Sequence, residues 1–471
     1  MIKLDKNLKI MITTFLLAFL ITLLPFPSQF TLSARIMIAI AFIAVVFWVT
    51  ECIPIPVTAL LVILLQGLFG IMPFTDSFSY IAHPVNALLI AGFIIAGSLK
   101  KYDLDRRIGL KIISFMGNST SQLVLGVMIA TAFLSMWISN TAATAIMIPI
   151  GIGVIKKSSN GNHGSNMSKL MVIGTAFAAN IGGIGTPLGT PPVPITIGFL
   201  NELAGISISF FDWIIRALPL VIILVPIAWK LLTIIYPPEL KDVEAGTRNI
   251  KKELREMGRL TNKQKHVIIL FIFAIVLWFL DSFGFFLPLP ENWLYIASLI
   301  IALIYVFPGV GALTWKEAEK EINWGILILI GGGLALGSGL LRSGVIDIVA
   351  GYMENLLVGT SLFTVIAAVA LVTAFSITLF SSLTATSSAF VPIAIALAMK
   401  LDVSPLLLAL VAGVASCFAF LLPVNTPPNA IAYDTGYFKT IEMTKPGVIL
   451  TIICVSILVA VAFFYWVPLL M

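Results

Sequence analysis

The sequence is poor in charged residues, histidine and cysteine. Only 11% of its 471 residues are charged, whereas a soluble globular domain carries about 25%. Its three histidines lie in or beside predicted loops, and no Ser-His-Asp or zinc-ligand spacing includes them, which argues against a hydrolase. The three cysteines, Cys52, Cys417 and Cys454, lie in apolar stretches and form no CxxC pair, so neither a disulfide framework nor a metal site is predicted.

Hydrophobic residues are abundant instead. They make up 59% of the chain, the mean hydropathy is +1.07, and many apolar runs reach the roughly 20 residues that span a hydrocarbon core as a helix. These runs do not alternate with period two, which excludes a transmembrane β-barrel. We predict an all-α polytopic membrane protein with about 11 transmembrane helices and two re-entrant hairpins. Residues 10–26 lack a small-x-small cleavage site and are predicted to form a retained helix, not a signal peptide.

The placement of the basic residues predicts the orientation of the chain. The formal net charge is +6, which by itself is also typical of proteins with acidic partners such as nucleic acid. When the N-terminus is placed in the cytoplasm, all Lys and Arg residues fall in cytoplasmic loops except Arg35, Arg216, Arg342 and Lys400. The positive-inside rule thus predicts a multi-pass protein of the plasma (inner) membrane with a cytoplasmic N-terminus, and no nucleic-acid partner is expected.

Polar islands interrupt the apolar runs at four places: residues 139–144, 185–192, 381–386 and 423–429. The apolar segment 120–157 has lysines at both ends, so it is predicted to enter and leave the membrane on one side, as a re-entrant hairpin with the first island at its tip. Residues 360–399 are predicted to form a second such hairpin from the opposite side. Irregular backbone at that depth is tolerated only where it faces protein or a water-filled cavity.

The second half of the chain repeats the first. Three pairs of landmarks recur in the same order at offsets of 240, 243 and 236 residues: Gly92 and Gly332, Ser139 and Ser382, Thr190 and Thr426. A constant order at a nearly constant offset predicts an internal duplication, and the loop charges predict that its copies have inverted topology. Inverted repeats with broken helices in matching positions indicate a secondary transporter whose site lies at the repeat interface.

The islands offer hydroxyls, amides and helix ends rather than charges. The start of a helix carries about half a positive charge on its free N–H groups, so up to four N-termini aimed at one spot favour a small anion with more than one carboxylate. Unwound carbonyls with Ser, Thr and Asn oxygens can also hold Na⁺. Ser135 lies four residues before Ser139, and Thr378 four before Ser382, so each pair is predicted to stack on one helix face in an ion site.

A structural alternative exists for each single hydroxyl. Ser and Thr in membrane helices commonly bond the carbonyl four residues back, and small residues allow close helix packing. Asn140 differs, because an amide at mid-membrane depth usually has a function. For the whole set, the repetition of four islands in order favours function over packing.

The islands resemble those of the divalent anion/sodium symporter (DASS) family, the INDY-type carboxylate transporters. The resemblance covers nearly the whole chain and rests on four stretches: Ser139-Asn140-Thr141, Asn425-Thr426-Pro427-Pro428-Asn429, residues 50–60 and His83-Pro84. It implies a homodimer in which a transport domain slides against a fixed scaffold, which is an elevator mechanism. The expected segments are scaffold helices of repeat 1 (1–119), a transport-domain half with hairpin and broken helix (120–236), a cytoplasmic linker (237–266), scaffold helices of repeat 2 (267–358) and a second transport-domain half (359–471).

The resemblance also implies roles for individual residues. Substrate carboxylates are expected to contact Ser139, Asn140, Thr141, Thr190, Pro191, Ser382, Thr384, Thr426 and Pro427. A first sodium site is expected at Ser135, Ser139, Asn140 and Gly189. No organic cofactor is expected, and Na⁺ is the candidate coupling ion.

Two positions depart from the family pattern. Leu383 replaces the amide of the second Ser-Asn-Thr, and Val193 replaces that of the first Pro-Pro-Asn. Because a leucine cannot ligate Na⁺, and because the family includes sodium-free exchangers, the sequence favours exchange of C4–C5 dicarboxylates (succinate, malate, fumarate, 2-oxoglutarate), with Na⁺-coupled symport as the alternative. Carriers of citrate, tartrate or sulfate share this scaffold. Two other functional classes are alternatives to a transporter. One is an ion channel. The other is a membrane-embedded enzyme, for which the sequence offers no catalytic constellation.

Overall fold

The computed structural model describes residues 6–117, 119–158, 165–240, 244–280, 290, 292–357 and 359–470. The secondary-structure elements within these ranges are all helices. The described residues contain eleven helical segments that are long and apolar enough to cross a membrane, and three of them, Thr120–Trp137, Leu362–Phe380 and Leu383–Lys400, belong to the two predicted hairpins. The predicted all-α polytopic fold is therefore confirmed, whereas the re-entrant course of the two hairpins stays a prediction.

The first half of the chain contains eleven helices: α1 (Lys6–Leu23), α2 (Leu32–Thr50), α3 (Ile55–Leu68), α4 (Phe74–Ser79), α5 (Val85–Lys101), α6 (Leu104–Ser114), α7 (Thr120–Trp137), α8 (Asn140–Ser158), α9 (Asn166–Gly182), α10 (Pro192–Ala204) and α11 (Phe210–Ile235). Helix α12 (Glu244–Glu256) follows in the linker. The second half contains α13 (Asn262–Phe279), α14 (Trp293–Val306), α15 (Trp315–Glu321), α16 (Trp324–Arg342), α17 (Val345–Leu357), α18 (Leu362–Phe380), α19 (Leu383–Lys400), α20 (Pro405–Ala415), α21 (Pro427–Asp434), α22 (Thr440–Val461) and α23 (Val467–Leu470).

The order of short and long helices repeats between the halves. Helices α2 to α11 correspond one for one to α13 to α22. Each half contains a helix hairpin with a two-residue break between its helices, followed by a broken helix. The copies are intertwined: α3 packs on α16 while its counterpart α14 packs on α5, and α10 packs on α19 while its counterpart α21 packs on α8. Each repeat therefore completes its packing with helices from the other.

Proline and glycine set the breaks that define this fold. Helix α10 has Pro192 in its first turn and α21 has Pro427, where the missing N–H costs nothing because the first turn has no intrahelical acceptor for it. A 3₁₀ turn precedes each of them, at Gly183–Gly185 and at Pro423–Asn425. In each half, a long helix is therefore interrupted in the same way, by a 3₁₀ turn followed by a short helix that begins with proline.

The linker between the halves is packed against the protein. Helix α12 lies against α6 and α8, and the Arg106 guanidinium donates to Glu253 Oε1 at 2.6 Å. Arg107 donates to the carbonyl of Gly258, just beyond the end of α12. Helix α12 thus occupies the middle of the linker expected at residues 237–266.

Gly332 provides a test of the intertwined packing. A Cβ added to this residue of α16 would lie 2.4 Å from Ala59 Cβ and 2.7 Å from Ala59 Cα on α3. We expect Gly332→Ala to lower the thermal unfolding midpoint of the detergent-purified protein, since overpacking of this kind costs about 1–3 kcal/mol. Gly351→Ala on α17 is the matched control, because nothing lies within 4 Å of its added Cβ. Equal midpoints for the two variants would contradict the close approach of α3 and α16.

Candidate functional site

The four polar islands meet at one cavity of about 460 Å³. All nine residues expected to contact substrate lie on its wall, together with Gly189: Ser139, Asn140, Thr141, Thr190, Pro191, Ser382, Thr384, Thr426 and Pro427. Ser135, the remaining residue of the expected sodium site, lies behind the wall and is fully buried. Chain segments separated by more than 200 residues thus come together at a single place.

The cavity lies at the N-termini of four helices. Helices α8, α19 and α21 begin with residues that line it, and Pro191, the residue just before α10, lines it too. The first N–H groups of a helix have no intrahelical acceptor, and they carry the positive end of the helix dipole. This arrangement makes the wall attractive to an anion although none of the described residues on it is Lys or Arg.

Equivalent serines cap the two hairpin tips. Ser139 Oγ accepts from the N–H of Ala142 at 3.2 Å, and Ser382 Oγ accepts from that of Ala385 at 3.3 Å. Each serine is the residue just before a helix, the position where a hydroxyl satisfies one free N–H. Each hydroxyl keeps its own hydrogen, which it can donate to a group in the cavity.

One prediction about the tips is wrong. Ser135 and Ser139 were expected to stack on one helix face, but α7 ends at Trp137 and Ser139 lies beyond it, as the cap of α8. Ser382 likewise follows the end of α18 at Phe380. The four-residue spacing therefore does not stack these side chains, because the backbone leaves the helix between them. Asn140, not Ser139, is the residue that contacts Ser135.

The Asn140 side chain faces a cluster of oxygen atoms. Ser135 Oγ lies 2.5 Å from Asn140 Oδ1 and donates to the carbonyl of Ala179 at 2.8 Å. The amide atom of Asn140 that points into this cluster is 3.2 Å from Ala179 O and 3.0 Å from Gly189 O. With Nδ2 in this place, Asn140 donates to both carbonyls. With Oδ1 there, four oxygens converge, which is the kind of ligand set that holds Na⁺.

Gly189 leaves room for this cluster. A Cβ added to it would lie 2.4 Å from Gly183 O and 2.6 Å from Ser135 O. Any other residue would therefore displace the backbone that forms the cluster. The residues Ser135, Asn140 and Gly189 of the expected sodium site are brought together, and the carbonyl of Ala179 joins them, a contribution that side-chain patterns do not reveal.

The second half does not repeat the oxygen cluster. At the position of Asn140 it has Leu383, and at the position of Gly189 it has Asn425, by the offsets of the two islands. Asn425 Nδ2 donates to the carbonyl of Ile377 at 3.3 Å. In the second half, where Leu383 replaces the asparagine of the tip motif, the Asn425 side chain thus donates to a backbone carbonyl.

Buried asparagines hold the second broken helix. Asn180, fully buried on α9, donates to Asn429 Oδ1 at 3.0 Å and to Ala419 O at 3.2 Å. Thr426 Oγ1 accepts from Asn180 Nδ2 and from the N–H of Asn429, both at 3.4 Å, so its own hydrogen is left to donate. Asn180 was not predicted from the sequence, although it is, like Asn140, an amide inside an apolar segment.

Thr190 is the corresponding hydroxyl of the first broken helix. It is 2% exposed, and its Oγ1 has no hydrogen-bond partner among the described residues. A buried hydroxyl without a partner costs free energy, about 1–3 kcal/mol. Because Thr190 lies on the cavity wall, a bound polar ligand is well placed to remove this cost.

The opposite wall of the cavity is built differently. It is formed by Glu51 and Ile55, at the connection of α2 and α3, and by Ile326 and Leu329 on α16. Glu51 is exposed, and among the described residues that line the cavity it is the one with a charged side chain. The polar islands of the sequence predicted the polar side of the cavity, whereas no motif predicted that Ile326 and Leu329 line it. 

Comparisons with known proteins identify the family. The pattern described as the sodium:sulfate symporter transmembrane region matches residues 4–471, nearly the whole chain. The chain belongs to this family. The resemblance to DASS carboxylate transporters is thereby confirmed, and so is the prediction that the protein is a transporter and not an enzyme.

Several relatives share most of their length with this chain. It is 34% identical to a sodium-dependent dicarboxylate transporter of Staphylococcus saprophyticus, over 96% of this chain and 90% of the relative. It is 35% identical to the protein of the same name from Staphylococcus aureus, over 95% and 89%. The chain is therefore a membrane transporter of the same family as these relatives, both of which are named sodium-dependent dicarboxylate transporters.

Solved structures support the fold. The YdaH transporter of Alcanivorax borkumensis superposes with a TM-score of 0.59 at 15% identity, over 83% of this chain and 88% of that one. MtrF of Neisseria gonorrhoeae gives a TM-score of 0.56 at 16% identity, over 84% of each chain. At such identities the similarity concerns the fold alone.

The oxygen cluster generates a prediction about sodium. We expect NaCl to raise the thermal unfolding midpoint of the purified protein relative to KCl, and we expect Gly189→Ala to lose this difference, because its Cβ would meet the carbonyls of Gly183 and Ser135. Gly153→Ala on α8 is the matched control, since its added Cβ has nothing within 4 Å. A sodium effect of equal size in Gly189→Ala and wild type would place the cation elsewhere.

Proposed function

We propose that the protein is a secondary active transporter of C4–C5 dicarboxylates such as succinate, malate, fumarate and 2-oxoglutarate. The observation that carries the proposal is the start of four helices, α8, α10, α19 and α21, on the wall of one cavity. The dipole of each helix places partial positive charge at its start, and on α8 and α19 free N–H groups carry it. Helices α10 and α21 begin with prolines and add their dipoles without free N–H groups at the positions that proline occupies. The combined positive potential favours a substrate with negative charge at both ends.

The pairing of the helices supports two separate carboxylate subsites. Helix α8 packs on α21, and its repeat counterpart α19 packs on α10, so the four N-termini form two equivalent pairs. Each pair brings one serine cap and one threonine to the wall: Ser139 with Thr426, and Ser382 with Thr190. Two like subsites suit a molecule with a carboxylate at each end better than a single compact anion such as sulfate.

Sodium coupling follows from the Asn140 cluster. Relatives with about a third of their residues identical are named sodium-dependent, and the oxygens of Ser135, Ala179 and Gly189 surround the Asn140 amide. Oδ1 of Asn140, Ser135 Oγ and the carbonyls of Ala179 and Gly189 would hold Na⁺, and with Oδ1 in that cluster Nδ2 would be left to donate towards the cavity. The cation would then prepare a donor for the substrate carboxylate, and this would couple the two ligands physically.

Sodium-free exchange of one dicarboxylate for another is the second candidate. It is favoured by Leu383, which cannot ligate a cation, and by Asn425 Nδ2, which supplies a protein donor to the carbonyl of Ile377. Under this alternative, a second dicarboxylate on the other side of the membrane takes the place of the ion gradient as the driving force.

The transport mechanism that fits this cavity is an elevator. The polar wall belongs to the two helix hairpins and the two broken helices, and the opposite wall belongs to α16 and the α2–α3 connection. We propose that the first group moves with the substrate past the second, in a homodimer. The positive-inside distribution supports a plasma-membrane protein with a cytoplasmic N-terminus, and exposed apolar residues on α1, such as Leu16, Phe19 and Leu23, suit contact with lipid.

Uptake of labelled succinate into proteoliposomes tests the proposal. External Na⁺ and internal dicarboxylate are varied independently. Sodium symport predicts uptake into vesicles without internal dicarboxylate when an inward Na⁺ gradient is imposed. Exchange predicts uptake that requires internal dicarboxylate and ignores Na⁺. Absence of succinate uptake under all conditions, with sulfate or citrate uptake in the same vesicles, would overturn the assignment to dicarboxylates.

Asn140→Ala tests the residue at the centre of the site. We expect it to reduce succinate uptake by roughly tenfold or more, because a hydrogen bond to a charged group contributes about 1.5–3 kcal/mol. The matched control is Asn201→Ala, which removes an amide that donates to Ser207 at the far end of α10. Unchanged uptake by a well-folded Asn140→Ala protein would contradict the site assignment.

A further inference from the structure

Helix α16 meets the proposed moving group through glycines. The moving group comprises the two hairpins and the two broken helices, and the fixed group comprises α16 and the segments packed on it. A Cβ added to Gly333 would lie 3.2 Å from Ser388 Cβ on α19, and one added to Gly337 would lie 2.6 Å from Phe199 Cζ on α10. Dispersion contacts are individually small, so helices packed in this way can exchange one set of contacts for another as they slide.

Tyr80 belongs to the fixed group. It begins the 3₁₀ turn Tyr80–Ala82, which precedes α5, and a Cβ added to Gly331 of α16 would lie 2.8 Å from the carbonyl oxygen of Tyr80. The side chain of Tyr80 is buried, and its hydroxyl oxygen lies 2.8 Å from Ser338 Oγ, which is also on α16. Backbone and side chain thus both attach Tyr80 to α16, so it would keep its place when the moving group is displaced.

The Tyr80 hydroxyl also reaches the moving group. It donates to Glu202 Oε1 at 2.7 Å, in the last turn of α10. A phenol has one hydrogen and a carboxylate can only accept, so this hydrogen goes to Glu202, and Ser338 donates in turn to the phenol oxygen. A hydrogen bond to a carboxylate is among the stronger ones, and this one joins the moving group to the fixed group.

Helix α10 connects this hydrogen bond to the cavity. Pro191, just before α10, lines the cavity, and the helix from Pro192 to Glu202 spans about 15 Å at 1.5 Å per residue. Because the helix is continuous, a movement of its start along α16 also displaces Glu202 from Tyr80. A hydrogen bond is lost once donor and acceptor are more than about 3.5 Å apart, so a displacement of a few ångströms breaks this one.

We propose that the hydrogen bond from Tyr80 to Glu202 is a latch that stabilises the described position of the moving group and breaks when that group moves. This inference rests on the elevator mechanism of the proposed function and goes beyond it, because it names the contact that sets the balance between positions. The glycines of α16 permit displacement, and the latch favours one position over the others.

Distances between two spin labels test the latch. One label goes on Thr75→Cys in α4, which is tied to α16 by the ion pair of Asp76 with Arg342 at 3.2 Å. The other goes on Ser207→Cys, in the loop after α10. Both residues are exposed, and the three native cysteines are buried. Labelled chains are diluted into unlabelled protein in lipid nanodiscs, with and without succinate, so that distances within one chain are measured. We expect Tyr80→Phe to lower the population at the label distance of the described structure, relative to all others, about fivefold.

A second variant removes the same bond from the other side. Glu202 is exposed, so Glu202→Ala leaves no cavity, and we expect it to shift the populations as Tyr80→Phe does. Because both substitutions remove one bond, the double variant should match either single variant and not add their effects. Tyr465→Phe is the matched control. Its hydroxyl donates to the carbonyl of Ile215 at 2.9 Å, between two segments expected to move together, so it should leave the populations unchanged.

The outcomes separate the latch from the proposed function. If succinate changes the label distances and neither Tyr80→Phe nor Glu202→Ala shifts the populations, the elevator stands and the latch is wrong. Additive shifts in the double variant would also overturn the latch, because the two residues would then act independently. If wild type and all variants transport succinate at a single label distance, the elevator fails and the latch fails with it, while the dicarboxylate assignment stands. The measurement without succinate does not depend on which anion is carried.

Discussion

Backbone N–H groups without partners are the constraint on which this structure depends. Four helices begin inside a fold whose other long helices are apolar enough to span a membrane. Helices α8 and α19 begin with N–H groups that have no intrahelical acceptor, and Ser139 and Ser382 each cap one of them. Helices α10 and α21 begin with prolines, which have no N–H, and Thr426 accepts from the first N–H of α21. Because unsatisfied N–H groups are costly away from water, the site is made for an acceptor, and a carboxylate is the strongest one available.

The internal duplication supplies a nearly symmetric polar wall, and the departures from symmetry lie at the oxygen cluster. Both halves contribute a serine-capped tip and a threonine at a broken helix. Only the first half adds Asn140 and Gly189, around which oxygens gather; the second has Leu383 and Asn425 at the matching positions. Under the proposed function, the first half would hold the cation and both halves would contact the substrate.

Local chemistry in the sequence predicted the fold and the polar wall well. Pro192 and Pro427 mark helix starts, and the polar islands mark breaks, because proline and unpaired polar groups act on their own segment of backbone. Contacts between distant segments were not predictable in this way. The donation of Asn180 to Asn429, the carbonyl of Ala179 beside Asn140 and the position of Glu51 depend on tertiary packing that no local pattern encodes. The predicted Ser135–Ser139 stack was wrong because the exact end of α7 decides it.

The position of bound substrate is the central claim. The most direct measurement is an experimental density map of the protein in lipid nanodiscs, prepared with succinate in NaCl. Our account predicts density for one succinate between the N-termini of α8, α10, α19 and α21, with a carboxylate at each helix pair. Succinate density away from these four helix ends, in a map that resolves the side chains of the cavity, would contradict it.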